Sequence, residues 1–201
     1  DLRGPTACEL VNPGAVKALL ARLGPDPLRA DADPDRAWQR ISVSRAPVAG
    51  LLMDQRVLAG VGNVYRAEVL YRHKLDPQTP GRELDCAVWT AIWADLIVMM
   101  RAGERTGRID TVLSEYEPDV MGREPRVDDH GGEAYVYRRA DLPCLVCGTK
   151  CRCGLFSGRN TFLCTSRQEG RQGQAGYAHV PPWSSDRGRI ARRSRHLLTD
   201  R

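Results

Sequence analysis

The sequence predicts a mainly α-helical protein that carries one small β-hairpin finger. Three observations predict it. Asn12-Pro13 and Asp33-Pro34 are helix-start signals, each a capping side chain followed by a proline that needs no N–H in the first turn. Residues 84–101 repeat Trp89, Ile92, Trp93, Leu96 and Met100 at near-helical spacing, a broad apolar stripe that a core-facing helix requires. Five of the seven cysteines crowd between Cys144 and Cys164, around a short segment that reads as a hairpin.

The elements follow in chain order. Residues 1–11 read as an extended segment. Asn12 caps a first helix that carries Val16, Leu19, Leu20 and Leu23, with Gly24 ending it. Asp33-Pro34 opens a second, leading into Trp38 and Ile41. Pro47 opens a third, through Leu51, Leu52 and Met53. Gly60-Val61-Gly62 breaks the chain, and Asn63 caps a fourth helix with Val64, Tyr65, Val69 and Leu70. The stripe of 84–101 makes a fifth. Residues 104–133, rich in acids, Gly and Pro, form a loop or linker with one short helix at most. Ala134 to Arg138 reads as a strand, and Leu155 to Phe162 as the hairpin. The expected division is therefore 1–11, a helical unit at 12–103, a linker at 104–133, a finger at 134–167 and a basic, disordered tail at 168–201.

Charge limits the function classes. The net charge of +5 lies wholly in residues 165–201, which hold eight Arg and three acids; residues 1–164 are balanced. Global charge therefore makes no case for nucleic acid, and any such case rests on local placement. The longest apolar run, Ala94 to Met100, is far shorter than the ~20 residues of a bilayer span. The chain opens Asp1-Leu2-Arg3, without a signal peptide and without Met, as expected of a sequence already cut at that end. An odd number of cysteines, clustered and with no secretion signal, points to metal rather than to a disulfide framework.

Two stretches carry chemistry. In 51–70 a helix, a glycine-bracketed turn and a second helix follow in sequence. Gly60 and Gly62 let backbone approach a ligand closely, and the helix starting at Asn63 offers free N–H groups and a positive dipole end to an anion. A tight helical hairpin with Asn63 as a plain N-cap fits the same residues. Glu68 reads as an intramolecular contact that buttresses the turn. In the finger, Cys144 and Cys147 form a C-x2-C pair, and sixteen residues separate Cys147 from Cys164. Gly158-Arg159 at the hairpin tip presents a guanidinium fork suited to phosphate; a solvated turn arginine is the plainer alternative.

Residues 51–70, with Asp54-Gln55, Ala59 to Tyr65, Glu68 and the later Asp76-Pro77, closely resemble the helix-two-turn-helix element of the formamidopyrimidine-DNA glycosylase/endonuclease VIII family. Tyr135 to Arg139, Pro143 and the cysteine spacing resemble the approach to, and the body of, that family's zinc finger. The resemblance runs over residues 1–164 and is weakest in the acidic loop. It implies a helix-two-turn-helix unit followed by a finger, with Asn63, Gly60, Gly62, Tyr65 and Arg159 meeting double-stranded DNA at a damaged base or abasic site. Arg159 also inherits a family role in the second elimination step of strand cleavage.

The implied zinc ligands are Cys144, Cys147 and Cys164. The family's fourth cysteine falls at Arg167, which cannot ligate zinc. Cys151 or Cys153 could substitute, His179 could fold back from the tail, or the finger could hold no metal at all. After Cys164 the family character stops; the Arg-rich remainder fits either a shifted reading frame in a GC-rich gene or a basic tail with salt-dependent DNA affinity.

The resemblance further implies a monomeric base-excision-repair glycosylase and apurinic/apyrimidinic lyase of the bacterial cytoplasm and nucleoid. Oxidised bases are its expected substrates, pyrimidines favoured. Asp1 to Thr6 resembles the closing strand of the family's N-terminal β-sandwich, so the catalytic N-terminal Pro-Glu is expected to be missing and this chain alone inactive. The competing expectations are a noncatalytic damaged-DNA-binding module and a zinc-ribbon protein-interaction domain.

Overall fold

A computed structural model describes residues 9–127, 132–156 and 158–168. The expected strand at 1–6, His179 and the tail beyond Gln168 lie outside the described residues. Seven α-helices and one hairpin are described: α1 (Pro13–Ala21), α2 (Pro34–Ile41), α3 (Val48–Leu51), α4 (Asn63–Arg72), α5 (Cys86–Thr106), α6 (Pro118–Met121), β1 (Arg152–Phe156), β2 (Arg159–Leu163) and α7 (Thr165–Gln168). The mainly helical fold with one two-stranded antiparallel hairpin agrees with the sequence.

The start signals act as expected. Asn12 Oδ1 accepts from the Ala15 N–H at 2.8 Å, and Asp33 Oδ1 from Asp35 at 2.9 Å. Asp85 caps α5 through the Ala87 N–H at 2.7 Å, and Gly107 ends that helix in the left-handed region, φ 67°. This pair of signals carries α5 to Thr106, three residues into the expected linker. At 21 residues α5 is long and apolar enough to cross a bilayer by length and composition alone. It is instead the floor of a core: Trp89, Ile92, Leu96 and Met100 pack with Ile41 from α2, Val48 and Leu52 around α3, and Val69 and Leu70 from α4.

Two sequence readings are corrected. Gly24 does not end α1, which stops at Ala21. Its N–H bonds the Gln55 carbonyl at 2.9 Å, and a Cβ there would lie 2.2 Å from the Val57 oxygen, so a close backbone approach demands the glycine. Residues 134–138 are not a strand. The alternation of Tyr135, Val136 and Tyr137 imitates one, but their three N–H groups converge on a single carboxylate instead of a neighbouring strand.

That carboxylate is Glu68, fully buried on α4. It accepts from the N–H groups of Tyr135 (2.7 Å), Val136 (2.9 Å) and Tyr137 (2.8 Å), and from the Thr111 hydroxyl at 2.6 Å. Buried backbone donors need partners, and here one side chain supplies all three. The buttressing role expected of Glu68 is thus extended to the base of the finger. A second apolar cluster grows around this point. Ala67 and Tyr71 of α4 pack with Tyr135, Val136, Cys151 and Phe162. Tyr71 stacks on Tyr135 with centroids 4.8 Å apart, and Tyr137 meets Phe162 edge-on at 5.1 Å. One helix, α4, therefore serves both cores and ties the helical part to the finger.

Candidate nucleic-acid interface and metal centre

The turn before α4 is shaped by two residues. Gly60 takes φ 81°, a region that penalises a Cβ. Gln55 clamps it from both sides: its Oε1 accepts from the Gly60 N–H at 2.8 Å and its Nε2 donates to the Val61 carbonyl at 3.1 Å. Gly62 is the N-cap, with extended backbone, and a Cβ on it would meet nothing within 4 Å. Asn63 is therefore the first helical residue, not the cap expected from the sequence. Its side chain leaves its own helix and donates from Nδ2 to the Asn160 carbonyl on β2 at 3.1 Å.

Beneath Asn63 lies Arg66, only 1% exposed. Its guanidinium donates to Asn63 Oδ1, to the Asn160 carbonyl at 2.8 Å and to Thr161 Oγ1 at 3.3 Å. Its Nε has no partner among the described residues. Burial first, and then the neighbouring charge of Arg159, push Arg66 down to about 10. It stays cationic at neutral pH. Sequence reasoning did not single out Arg66; the available signal was its place three residues after Asn63, hence on the same face.

Asn63, Arg159, Asn160, Arg138 and Tyr137 line one cleft of about 300 Å³. Among the described residues, no carboxylate lines it. Gly158 turns the hairpin at φ 75°, and Arg159, paired with Phe156, opens β2 on the exposed side. Arg138 stands with φ 53° and places its guanidinium 5.6 Å from the Tyr137 ring centroid. The Arg159 guanidinium and the Asn63 amide stand at the rim, with the buried Arg66 cation behind them. Such a cleft suits an oxyanion. Tyr65 is not among its lining residues. Its ring packs against the helical core, and a Cβ on Gly103 would lie 2.3 Å from its hydroxyl oxygen.

The finger brings together three of the predicted ligands. The Sγ atoms of Cys144, Cys147 and Cys164 all lie within 4.8 Å of one another. The C-x2-C loop is a tight turn: Gly148 donates to the Cys144 carbonyl at 2.9 Å and has φ 72°. Tyr71 Oη lies 3.0 Å from Cys144 Sγ. Burial opposes ionisation of Cys147, but hydrogen bonds from the Thr149 side chain and backbone and from the neighbouring thiols outweigh it and bring Cys147 down to about 7. Burial, aided by the thiol of Cys147, pushes Cys164 up to about 12.

Neither spare cysteine joins them among the described residues. Cys151 Sγ faces the Tyr135 carbonyl at 3.9 Å, and Cys153 Sγ its neighbour's carbonyl at 3.9 Å. Burial pushes the Cys151 thiol up to about 12. Arg167, on the turn of α7, holds its guanidinium carbon 5.3 Å from the Tyr71 ring centroid. Gln168, which sequence reasoning missed, anchors that turn: it accepts from the Cys164 N–H at 2.9 Å and donates to the Leu75 carbonyl at 3.2 Å. Three soft thiol donors in this arrangement fit zinc, with a fourth protein ligand wanting among the described residues.

Comparison with known proteins agrees with the fold. A family model described as the formamidopyrimidine-DNA glycosylase H2TH domain matches residues 23–114. Endonuclease 8 1 of Mycobacterium tuberculosis is 51% identical over 167 residues, covering 82% of this chain and 60% of that protein. The formamidopyrimidine-DNA glycosylase of Parasynechococcus marenigrum is 34% identical over 149 residues, covering 74% of this chain and 51% of that protein. Among solved structures, the MutM (Fpg) protein of Thermus thermophilus aligns with a TM-score of 0.57 and 28% identity, over 75% of this chain and 55% of that one. The complex of Lactococcus lactis Fpg with an abasic-site DNA gives 0.62 at 22% identity, over 78% and 55%, a likeness of fold. The chain thus spans 60% or less of the length of these relatives.

Proposed function

The chain belongs to the formamidopyrimidine-DNA glycosylase/endonuclease VIII family, and from that premise we propose that it is the DNA-gripping part of a base-excision-repair glycosylase and apurinic/apyrimidinic lyase. Its substrate is duplex DNA carrying an oxidised base, pyrimidines favoured, or an abasic site, and its setting is the bacterial cytoplasm and nucleoid. The observation that carries the proposal is the cleft in which Asn63 and Arg159 stand on the same rim, with no carboxylate beside them among the described residues.

The division of labour follows from the side chains. Asn63 donates an amide N–H at the start of α4, where the helix dipole also favours negative charge. Arg159 offers a planar fork to a second phosphate oxygen. Gly62, without a Cβ, lets backbone N–H groups approach the same strand. These contacts fix the register of the duplex and carry no sequence information, which suits an enzyme that must find a lesion in any context and turn the damaged base out of the stack. Arg159 is also the residue we assign to the second elimination step.

Cys144, Cys147 and Cys164 are the residues that would hold zinc. Bound there, the ion supplies a cross-link between the C-x2-C turn and the end of β2, so that the hairpin tip keeps its place against α4.

None of the described side chains is an activated amine nucleophile placed in the cleft. Borohydride trapping of the 201-residue chain on abasic duplex DNA should give no covalent adduct, whereas a gel-shift assay should show preference for the abasic duplex over an intact one. An adduct would mean that this chain carries its own nucleophile. Equal affinity for both duplexes would leave a general DNA or protein interaction module in place of a lesion-directed one.

A further inference from the structure

The three converging thiols leave a question of coordination. The family resemblance puts the fourth ligand at Arg167, three residues after Cys164 on the single turn of α7. That side chain does not stand idle there. Its guanidinium lies over Tyr71, whose hydroxyl touches Cys144 Sγ, and its Nε is buried with no partner among the described residues. Cys151 and Cys153 are turned to carbonyl oxygens and packed into the core around Tyr135 and Phe162. Cys144 and Cys164 are buried, while Cys147 is exposed, so the cluster is sealed from within and reachable from solvent on one side.

We infer that this finger is a three-thiolate metal site whose fourth coordination position, filled by none of the described residues, is open to an exchangeable small ligand, with Arg167 as its counter-charge rather than its ligand. The inference rests on the reading that these cysteines hold a divalent ion. Three thiolates around such an ion leave one net negative charge. A cation held one aromatic ring away offsets that charge without entering the coordination sphere, and a buried ionic group lacking an offset is expensive. Structural zinc sites ordinarily close all four positions with protein atoms. An open position instead admits water, imidazole or a free thiol, and it makes the ion easier to remove.

The test uses the reduced 201-residue chain titrated with Co(II), whose visible spectrum reports the donor set. One Co(II) per chain should bind, and its ligand-field bands should shift when imidazole is added. Arg167→Cys should abolish the imidazole response and bind Co(II) about tenfold more tightly or better, because a fourth thiolate completes the site. Arg167→Ala should keep the imidazole response and bind more weakly than the parent. Circular dichroism of the metal-free variants checks that each is folded like the parent.

A parent spectrum unaffected by imidazole would show a fourth protein ligand and overturn the inference while leaving the metal reading intact. Binding by Arg167→Cys alone would show that three thiols do not suffice, which overturns it as well. Failure of both proteins to bind would remove the metal reading itself.

Discussion

Asn63 and Asn160 lie 97 residues apart in the chain and are joined by one hydrogen bond, from the Asn63 amide to the Asn160 carbonyl at 3.1 Å. The bond brings the glycine turn and the hairpin tip to one cleft, which the Asn63 amide and Arg159 both line. It also sets apart two roles for Asn63, the observed clamp on β2 and the proposed donor to DNA.

Those roles separate by measurement. Asn63→Ala and Arg159→Ala should each weaken binding to an abasic duplex. Removing one phosphate contact should reduce the magnitude of the log K against log salt slope by about 1. Fluorescence anisotropy across a potassium chloride series reads both quantities. Parent-like affinity and slope in both variants would remove them from the interface.

Gly62 and Gly24 make a contrasting pair. A Cβ on Gly62 meets open space at ordinary backbone angles, so Gly62→Ala should change stability by no more than about 0.5 kcal/mol, as surface substitutions do. Its DNA affinity should nevertheless fall, because the methyl group stands where the backbone would meet phosphate. Gly24→Ala should behave in the opposite way. The added methyl collides with the Val57 carbonyl and should cost about 1–3 kcal/mol. Thermal melts and anisotropy on the same two variants check the pattern; a Gly62→Ala variant with undiminished affinity would show that the turn does not touch DNA.

Glu68→Ala removes the acceptor of three backbone N–H groups and a hydroxyl. Leaving a buried donor unsatisfied costs about 1–3 kcal/mol, so losing the acceptor of three should cost about 3 kcal/mol or more, and for a chain of this size that lowers Tm by roughly 10 °C. Hydrogen exchange should show the loss concentrated at residues 135–137. A melt within a degree or two of the parent would mean that water replaces the carboxylate at no cost.

Arg66→Met keeps much of the volume and removes the charge. The hairpin should then loosen from α4, seen as faster proteolysis within 152–163, and DNA affinity should fall as the field behind Asn63 weakens. Parent-like proteolysis with reduced affinity would assign Arg66 to electrostatics alone.

Local signals made much of this fold legible. Asn12 and Asp33 announce their helices because a cap is a contact between residues two or three apart. The stripe from Trp89 to Met100 announces the core because helical periodicity is itself the burial pattern. Residues 134–138 misled for the converse reason: their partner sits on another helix 67 residues upstream or more, and nothing in Tyr135-Val136-Tyr137 distinguishes a carboxylate from a strand. The candidate site divides in the same way. Asn63 and Arg159 were legible through motif resemblance. The roles of Gln55, Arg66 and Gln168 were not, because each acts on a carbonyl or amide that only the folded chain brings within reach.

The single carboxylate that gathers Tyr135, Val136 and Tyr137 has a consequence for how the finger fails. Its root is pinned to α4 by bonds that owe nothing to thiols. On the reading that Cys144, Cys147 and Cys164 hold zinc, stripping it with a chelator should therefore fray the lobe from Cys144 to Cys164 while the stem stays seated, like a flag torn from a standing mast. Metal loss and heat would then leave different scars on the same molecule.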